Sequence, residues 1–217
     1  MKISTASTIL GKLCDITRIN KKFHQYQPVI IESKDNQIIS PVEATINHVG
    51  NISEEGILLT KQNKTVKLDN LIGQYAENFY GCKYINFYLS PLNRHFWVTP
   101  TEGKFIHIQK NEGKSKWPVF IGLEDLIGIE MFSEAVIQNS SIGMIYQTNE
   151  YDVAMIAVGS LNVNRIHTDC KIENQYERGV PVGYFSLGSS MLLCFPRDLK
   201  TIVYSGQKVR MGQAILI

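Results

Sequence analysis

The chain has 217 residues, a length suited to one domain that buries roughly 70% of its unfolded surface without cross-links. Apolar residues make up 44% of it and charged residues 19%, a balance that excludes an intrinsically disordered chain. With 22 basic and 20 acidic residues the formal charge is +2, too small to suggest a nucleic-acid groove, so no nucleic-acid partner is expected.

Residues 3–23 place Ile3, Ala6, Ile9, Leu10, Leu13 and Ile16 at helical spacing, with Lys2, Lys12, Asp15 and Arg18 between them. This pattern predicts an amphipathic helix, packed on the core or lying on a membrane surface. Nothing in it resembles a secretory signal, so a cytoplasmic chain, soluble or peripheral to a membrane, is expected. We take 1–27 as this helix and its linker, and 28–217 as the main domain. After Pro28 short β-branched and aromatic runs alternate with turn residues: 29–31, 36–39, 56–59, 84–89, 104–108, 141–146, 151–158 and 190–195. That rhythm predicts a mostly β (α+β) single domain, a sandwich or barrel-like fold with a short N-terminal helix. Leu68, Leu71, Ile72 and Tyr75 share a helical face, which predicts a short helix over 68–79. The uncharged-looking stretch 179–196 reads as a buried strand–turn–strand. Its beginning, 178–185, echoes 208–215, which suggests a β module of two similar halves.

The four cysteines, Cys14, Cys82, Cys170 and Cys194, form no Cys-x-x-Cys and read as free buried thiols. No pair among the five histidines has metal-ligand spacing, so no metal is expected, and there is no P-loop or dinucleotide glycine fingerprint. A carrier domain is a weak reading, because Lys208 has no evident hairpin partner. What remains is Gly188-Ser189-Ser190 between apolar runs. As bare sequence it reads as a turn. It also permits one specific chemistry, because Gly188 lacks a Cβ and tolerates a strained turn in which the Ser189 hydroxyl reaches the Gly188 carbonyl.

Leu187-Gly188-Ser189-Ser190 resembles the Leu-Gly-Ser-Thr self-processing motif of phosphatidylserine decarboxylases. Tyr88-Leu89-Ser90-Pro91-Leu92-Asn93-Arg94-His95, followed by Pro100 and Gly103, resembles that family's Tyr-Leu-Ser-Pro-x-Asp-Tyr-His-x-x-His-x-Pro-x-x-Gly. Ser40-Pro41-Val42-Glu43-Ala44 stands in place of its Pro-x-Asp-Gly, and 68–72, 157–160 and Val209-x-x-Gly212-Gln213 also agree in order. The resemblance covers roughly residues 36–217.

The resemblance implies self-cleavage between Gly188 and Ser189, giving chains 1–188 and 189–217 and a pyruvoyl group from Ser189. That group forms a Schiff base with a substrate amine and promotes loss of CO2. The implied substrate is phosphatidylserine or a smaller amino acid derivative, with peripheral membrane contact through 3–23 and a homodimer left open. His95 matches the histidine associated with decarboxylation. The second histidine, expected as the base for cleavage, falls at Val98. Glu43 stands for the aspartate, Ala44 for the glycine after it, and Asn139-Ser140-Ser141 for an Asn-Glu-Arg segment. His95 or His48 is left as a substitute base. The alternative is a family member that never cleaves and keeps the fold for binding, regulation or a different reaction.

Overall fold

The computed structural model describes residues 28–32, 34, 37–59, 64–90, 93–113, 117, 132–160, 166–185 and 189–217. The helix expected at 3–23, the 1–27 unit and Gly188 lie outside the described residues. The strands in chain order are β1 (Ile38–Ile39), β2 (Ala44–Asn51), β3 (Ile57–Leu59), β4 (Thr65–Lys67), β5 (Lys83–Leu89), β6 (Phe96–Val98), β7 (Gly103–Asn111) and β8 (Ser141–Gln147). Then come β9 (Asp152–Gly159), β10 (Ile166–Thr168), β11 (Gln175–Tyr176), β12 (Pro181–Phe185), β13 (Ser189–Phe195), β14 (Lys208–Val209) and β15 (Ala214–Leu216). Two short α-helices, α1 (Asp69–Ile72) and α2 (Phe132–Gln138), and a 3-10 helix at Gly73–Phe79 complete the described elements.

An antiparallel eight-stranded sheet, in the order β11-β7-β8-β9-β13-β5-β2-β14, forms the centre. β13 is paired along both edges, with β5 and with β9. Its sequence, Ser-Ser-Met-Leu-Leu-Cys-Phe, carries no charge because both its faces are covered, which is why it reads as a continuous run rather than an alternation. Met191, Leu193 and Phe195 join Phe87, Leu89, Trp97 and Phe185 in the core on one face. Leu192 and Cys194 join Tyr84, Tyr88, Leu71, Ile72, Phe79 and Val136 on the other, under the helices and the β3–β4 hairpin. A three-stranded sheet, β10-β12-β6, lies over the first face. The result is the sandwich-like, mostly β fold expected.

Three local expectations change. The run 29–31 forms no strand, and the chain gains only a single parallel bridge, Glu32 to Gln213, where it passes the turn before β15. The helix expected over 68–79 is broken at Gly73, whose φ of 59° no α-helix accommodates, and continues as a 3-10 helix. Leu68, Leu71 and Ile72 are nevertheless buried as their spacing predicts. The stretch 179–196 does hold two strands, but they belong to different sheets: β12 pairs with β10 and β6, while β13 pairs with β5 and β9. The echo of 178–185 in 208–215 is therefore local, and the second copy divides between β14 and β15.

Candidate active site

Two chain segments cross between the large and the small sheet at the same corner. One leaves β5 at Leu89 and enters β6 at Phe96; the other leaves β12 at Phe185 and enters β13 at Ser189. Both ends of this corner are fixed by backbone pairing. Ser189 stands opposite Leu89, and the Phe185 N–H donates to the His95 carbonyl at 2.6 Å. Ser189 thus begins β13 opposite the end of β5, and His95 is held through its backbone to the end of β12.

Ser189 is fully buried, and its Oγ has no hydrogen-bond partner among the described residues. Strand alternation puts it on the face of Met191 and Leu193, towards the core shared with Trp97 and Phe185. A buried hydroxyl without a partner costs about 1–3 kcal/mol relative to a satisfied one, a cost that Asn47 Oδ1 and Trp97 Nε1 also carry among the described residues. Its neighbour Ser190 points the other way and is anchored, with Oγ at 2.6 Å from Asn86 Oδ1 and 2.8 Å from the Phe87 carbonyl. One hydroxyl proton cannot serve two acceptors. The consistent assignment has Ser190 donating to the Phe87 carbonyl while the Asn86 amide, turned over, donates to Ser190 Oγ.

His95 is 1% exposed. Its Nδ1 lies 2.7 Å from the Asn93 carbonyl, which can only accept, so the proton sits on Nδ1 and Nε2 is the basic nitrogen of the neutral ring. Asn93 is held in turn: its Oδ1 accepts from the Ser90 N–H at 2.9 Å and its Nδ2 donates to Glu43 Oε1 at 3.2 Å. Glu43 Oε2 also meets Arg94 Nε at 3.3 Å. Glu43 therefore grips the 93–95 turn through Asn93 and Arg94, and this grip orients His95.

Val98 is fully buried beside Ile39, Phe96, Tyr184 and Met211. Phe96 and Val98 share one face of β6, whereas Trp97, on the opposite face, joins the core that Ser189 faces. Position 98 is an apolar packing site in this chain. His48 is a poor substitute base. It pairs with Asn86, three residues from Leu89 along β5, and sits two strands from β13, roughly 14 Å from Ser189 at ordinary sheet spacings. Its ring tilts against Tyr84, which packs on the helix-covered face. His167 stacks on Tyr184, and His107 on Tyr75. Cysteine is not an alternative nucleophile among the described residues: burial pushes the Cys170 thiol up to about 11 and raises Cys194 further.

The 139–141 segment supports the site from the far side of Ser189. Buried Asn139 donates through Nδ2 to the carbonyls of Gly159, at 2.8 Å, and Trp117, at 2.7 Å. The Gly159 N–H donates to the Ser140 carbonyl at 2.9 Å, and Gly159 is the β9 residue opposite Ser189. Sequence reasoning did not single out Asn93, Arg94 or the load on Asn139. Asn93-Arg94 could have been found as the place where the resembled motif has Asp-Tyr. Nothing in the sequence marks Asn139 as a partner of Gly159, 20 residues on.

Among the described residues, this corner brings together a buried serine hydroxyl without a hydrogen-bond partner and an oriented, buried histidine. The family model for phosphatidylserine decarboxylase matches residues 21–217. The phosphatidylserine decarboxylase proenzyme of Anoxybacillus flavithermus is 27% identical over 215 residues, covering 91% of this chain and 78% of that protein. Those of Brevibacillus brevis and Bacillus subtilis are 29% and 25% identical, over 82% and 85% of this chain and 70% and 69% of their own lengths. The chain belongs to the phosphatidylserine decarboxylase family, a family of carboxy-lyases.

Proposed function

We propose that this chain is a proenzyme that cleaves itself between Gly188 and Ser189 and then decarboxylates an amino acid head group carried on a phospholipid. The observation that carries the reading is the fully buried, unpartnered Ser189 Oγ, beside the crossover that holds His95. Ser189 Oγ adds to the Gly188 carbonyl carbon while its proton passes to His95 Nε2. The C–N bond then breaks, and that proton goes to the Ser189 nitrogen, leaving an ester. Loss of the Ser189 Cα proton expels the Gly188 carboxylate from Cβ, and water displaces the nitrogen as ammonia. The balance is one water consumed, one ammonia released, and a pyruvoyl terminus on the short chain.

The residues present fit such a group: one derived from buried Ser189 would lie on the face shared with Met191 and Leu193, among apolar side chains. A pyruvoyl group there supplies an electrophilic carbonyl and an electron sink for the departure of CO2. His95 holds and returns the proton, Glu43 keeps His95 oriented through the 93–95 turn, and Asn139 fixes the strand end opposite Ser189. Work at a lipid head group implies a chain peripheral to a membrane, on its cytoplasmic side. Among the described residues no helix is long and apolar enough to cross one.

Intact-protein mass spectrometry tests the reading. Wild-type protein should yield two chains with the masses of 1–188 and 189–217, the latter with a pyruvoyl end, and Ser189→Ala should stay whole. A wild-type chain that remains full length on prolonged incubation would sink the proposal and leave the non-cleaving alternative.

A further inference from the structure

A cleft of about 400 Å³ opens beside the 93–95 turn, within the size range of small-ligand sites. Its walls carry Glu43, Arg94, Glu32, Arg210 and the buried Met211, and Ile30 also lines it. Two arginines and two carboxylates thus share one concave wall. Each guanidinium is aligned by a carboxylate, Arg94 by Glu43 at 3.3 Å and Arg210 by Glu32 at 2.5 Å. The Arg210–Glu32 pair is exposed, and such pairs are weak, so an incoming anion can compete for that guanidinium at small cost, whereas Arg94 and Glu43 are half-buried and hold their place in the wall. Ile30, 73% exposed at the mouth, gives the cleft an apolar lip beside its charged floor.

From this we infer that the cleft binds the phosphodiester of an amino acid head group, with Arg94 and Arg210 as its anion-binding residues. The inference rests on the proposed function for the identity of the head group. Arginine matches a phosphate through a planar fork of donors, and two of them in one cleft can hold a phosphodiester between them. The same residues do not suit the carboxylate that departs. Holding that carboxylate on a guanidinium would stabilise the reactant more than the transition state and slow the loss of CO2. The cleft is also joined to the chemistry. The Glu43 that aligns Arg94 also holds Asn93, whose carbonyl fixes the His95 ring. Phosphate recognition and orientation of the proton carrier are thus built from the same turn.

The test uses the full chain with Ser189→Ala, which cannot cleave and loses only an unpartnered hydroxyl. Isothermal titration with glycerophospho-L-serine should give saturable one-site binding, with free L-serine and inorganic phosphate each at least about tenfold weaker. Arg94→Gln and Arg210→Gln should each weaken binding about 10- to 100-fold. Arg210, 72% exposed, keeps the test readable should Arg94→Gln disturb the turn. A second arm with phosphatidylcholine vesicles, with and without phosphatidylserine, tells a bilayer-borne source of the phosphodiester from a soluble one. Arg210-dependent binding in either arm supports the inference. It is overturned by binding in neither arm, by binding within twofold of the parent in Arg210→Gln, or by L-serine or phosphate binding as tightly as glycerophosphoserine. Mass spectrometry of the wild type separates the two ideas. A wild type that cleaves, paired with a Ser189→Ala chain that does not bind, refutes only the cleft. Binding without cleavage refutes only the proposed processing.

Discussion

Asn139→Ala tests how the site is supported. The side chain makes three hydrogen bonds: Nδ2 donates to Gly159 and Trp117 carbonyls at 2.8 and 2.7 Å, and Oδ1 accepts from the Trp117 N–H at 3.1 Å. Asn139 is itself buried, so truncation leaves the Gly159 carbonyl without that donor in a place water does not readily reach. At about 1 kcal/mol net for each bond, the loss comes to about 3 kcal/mol. For a domain of this size that lowers Tm by roughly 6–12 °C. The comparison belongs in a Ser189→Ala background, so that cleavage does not change the molecule during the measurement. Urea unfolding should then show a lower midpoint with an unchanged m-value. With Ser189 restored, cleavage should also slow, because Gly159 is the strand neighbour that sets Ser189 in place. A loss below about 1 kcal/mol would refute the reasoning, since it falls short of even one buried bond.

Other substitutions probe the same corner. Ser190→Ala leaves buried Asn86 without its hydroxyl partner and should cost about 1–3 kcal/mol by urea unfolding. Adding Asn86→Leu should recover part of that, because the unsatisfied amide goes with it; strictly additive losses would show that the two side chains do not interact. Gly183→Ala would set a Cβ 2.1 Å from Trp97 Cζ2 and 2.5 Å from the His167 carbonyl. It should cost about 1–3 kcal/mol and shift Trp97 fluorescence, while an unperturbed spectrum and midpoint would mean the indole does not rest on that glycine.

The strands were legible where both periodicity and length were strong. The runs around 84–89, 141–146, 151–158 and 190–195 became β5, β8, β9 and β13, because a buried strand needs little more than uninterrupted apolar and β-branched residues. Their partners were not legible. That β13 lies between β5 and β9 depends on pairings about 100 and 30 residues apart, and no local pattern encodes them. The run at 29–31 shows the converse failure, since β propensity without a partner edge leaves an apolar segment as coil. At the site, Gly188-Ser189 and His95 could be found through motif order. The role of Glu43 could not, because its contacts to Asn93 and Arg94 exist only once β2 and the 93–95 turn meet 50 residues apart.

Val98 is the largest departure from the family motif, and its surroundings explain how the chain accommodates it. The residue completes an apolar cluster with Ile39, Phe96, Tyr184 and Met211 and leaves no gap there. Under the proposed function the proton-accepting role then falls to His95, whose Nδ1–H bond to Asn93 already fixes the basic nitrogen. Loss of one general base costs a factor of about 10²–10⁴ in rate. A catalyst that turns over many times would be crippled by that. Under that reading self-cleavage happens once for each chain, so a reaction that would finish in about a second still finishes within minutes at the lower end of that range and within hours at the upper end. One histidine can serve both steps because they never coincide: cleavage is complete before any head group reacts. Under the proposed function, then, a second histidine is an advantage in rate rather than a requirement of the chemistry, and at position 98 the valine supplies packing instead.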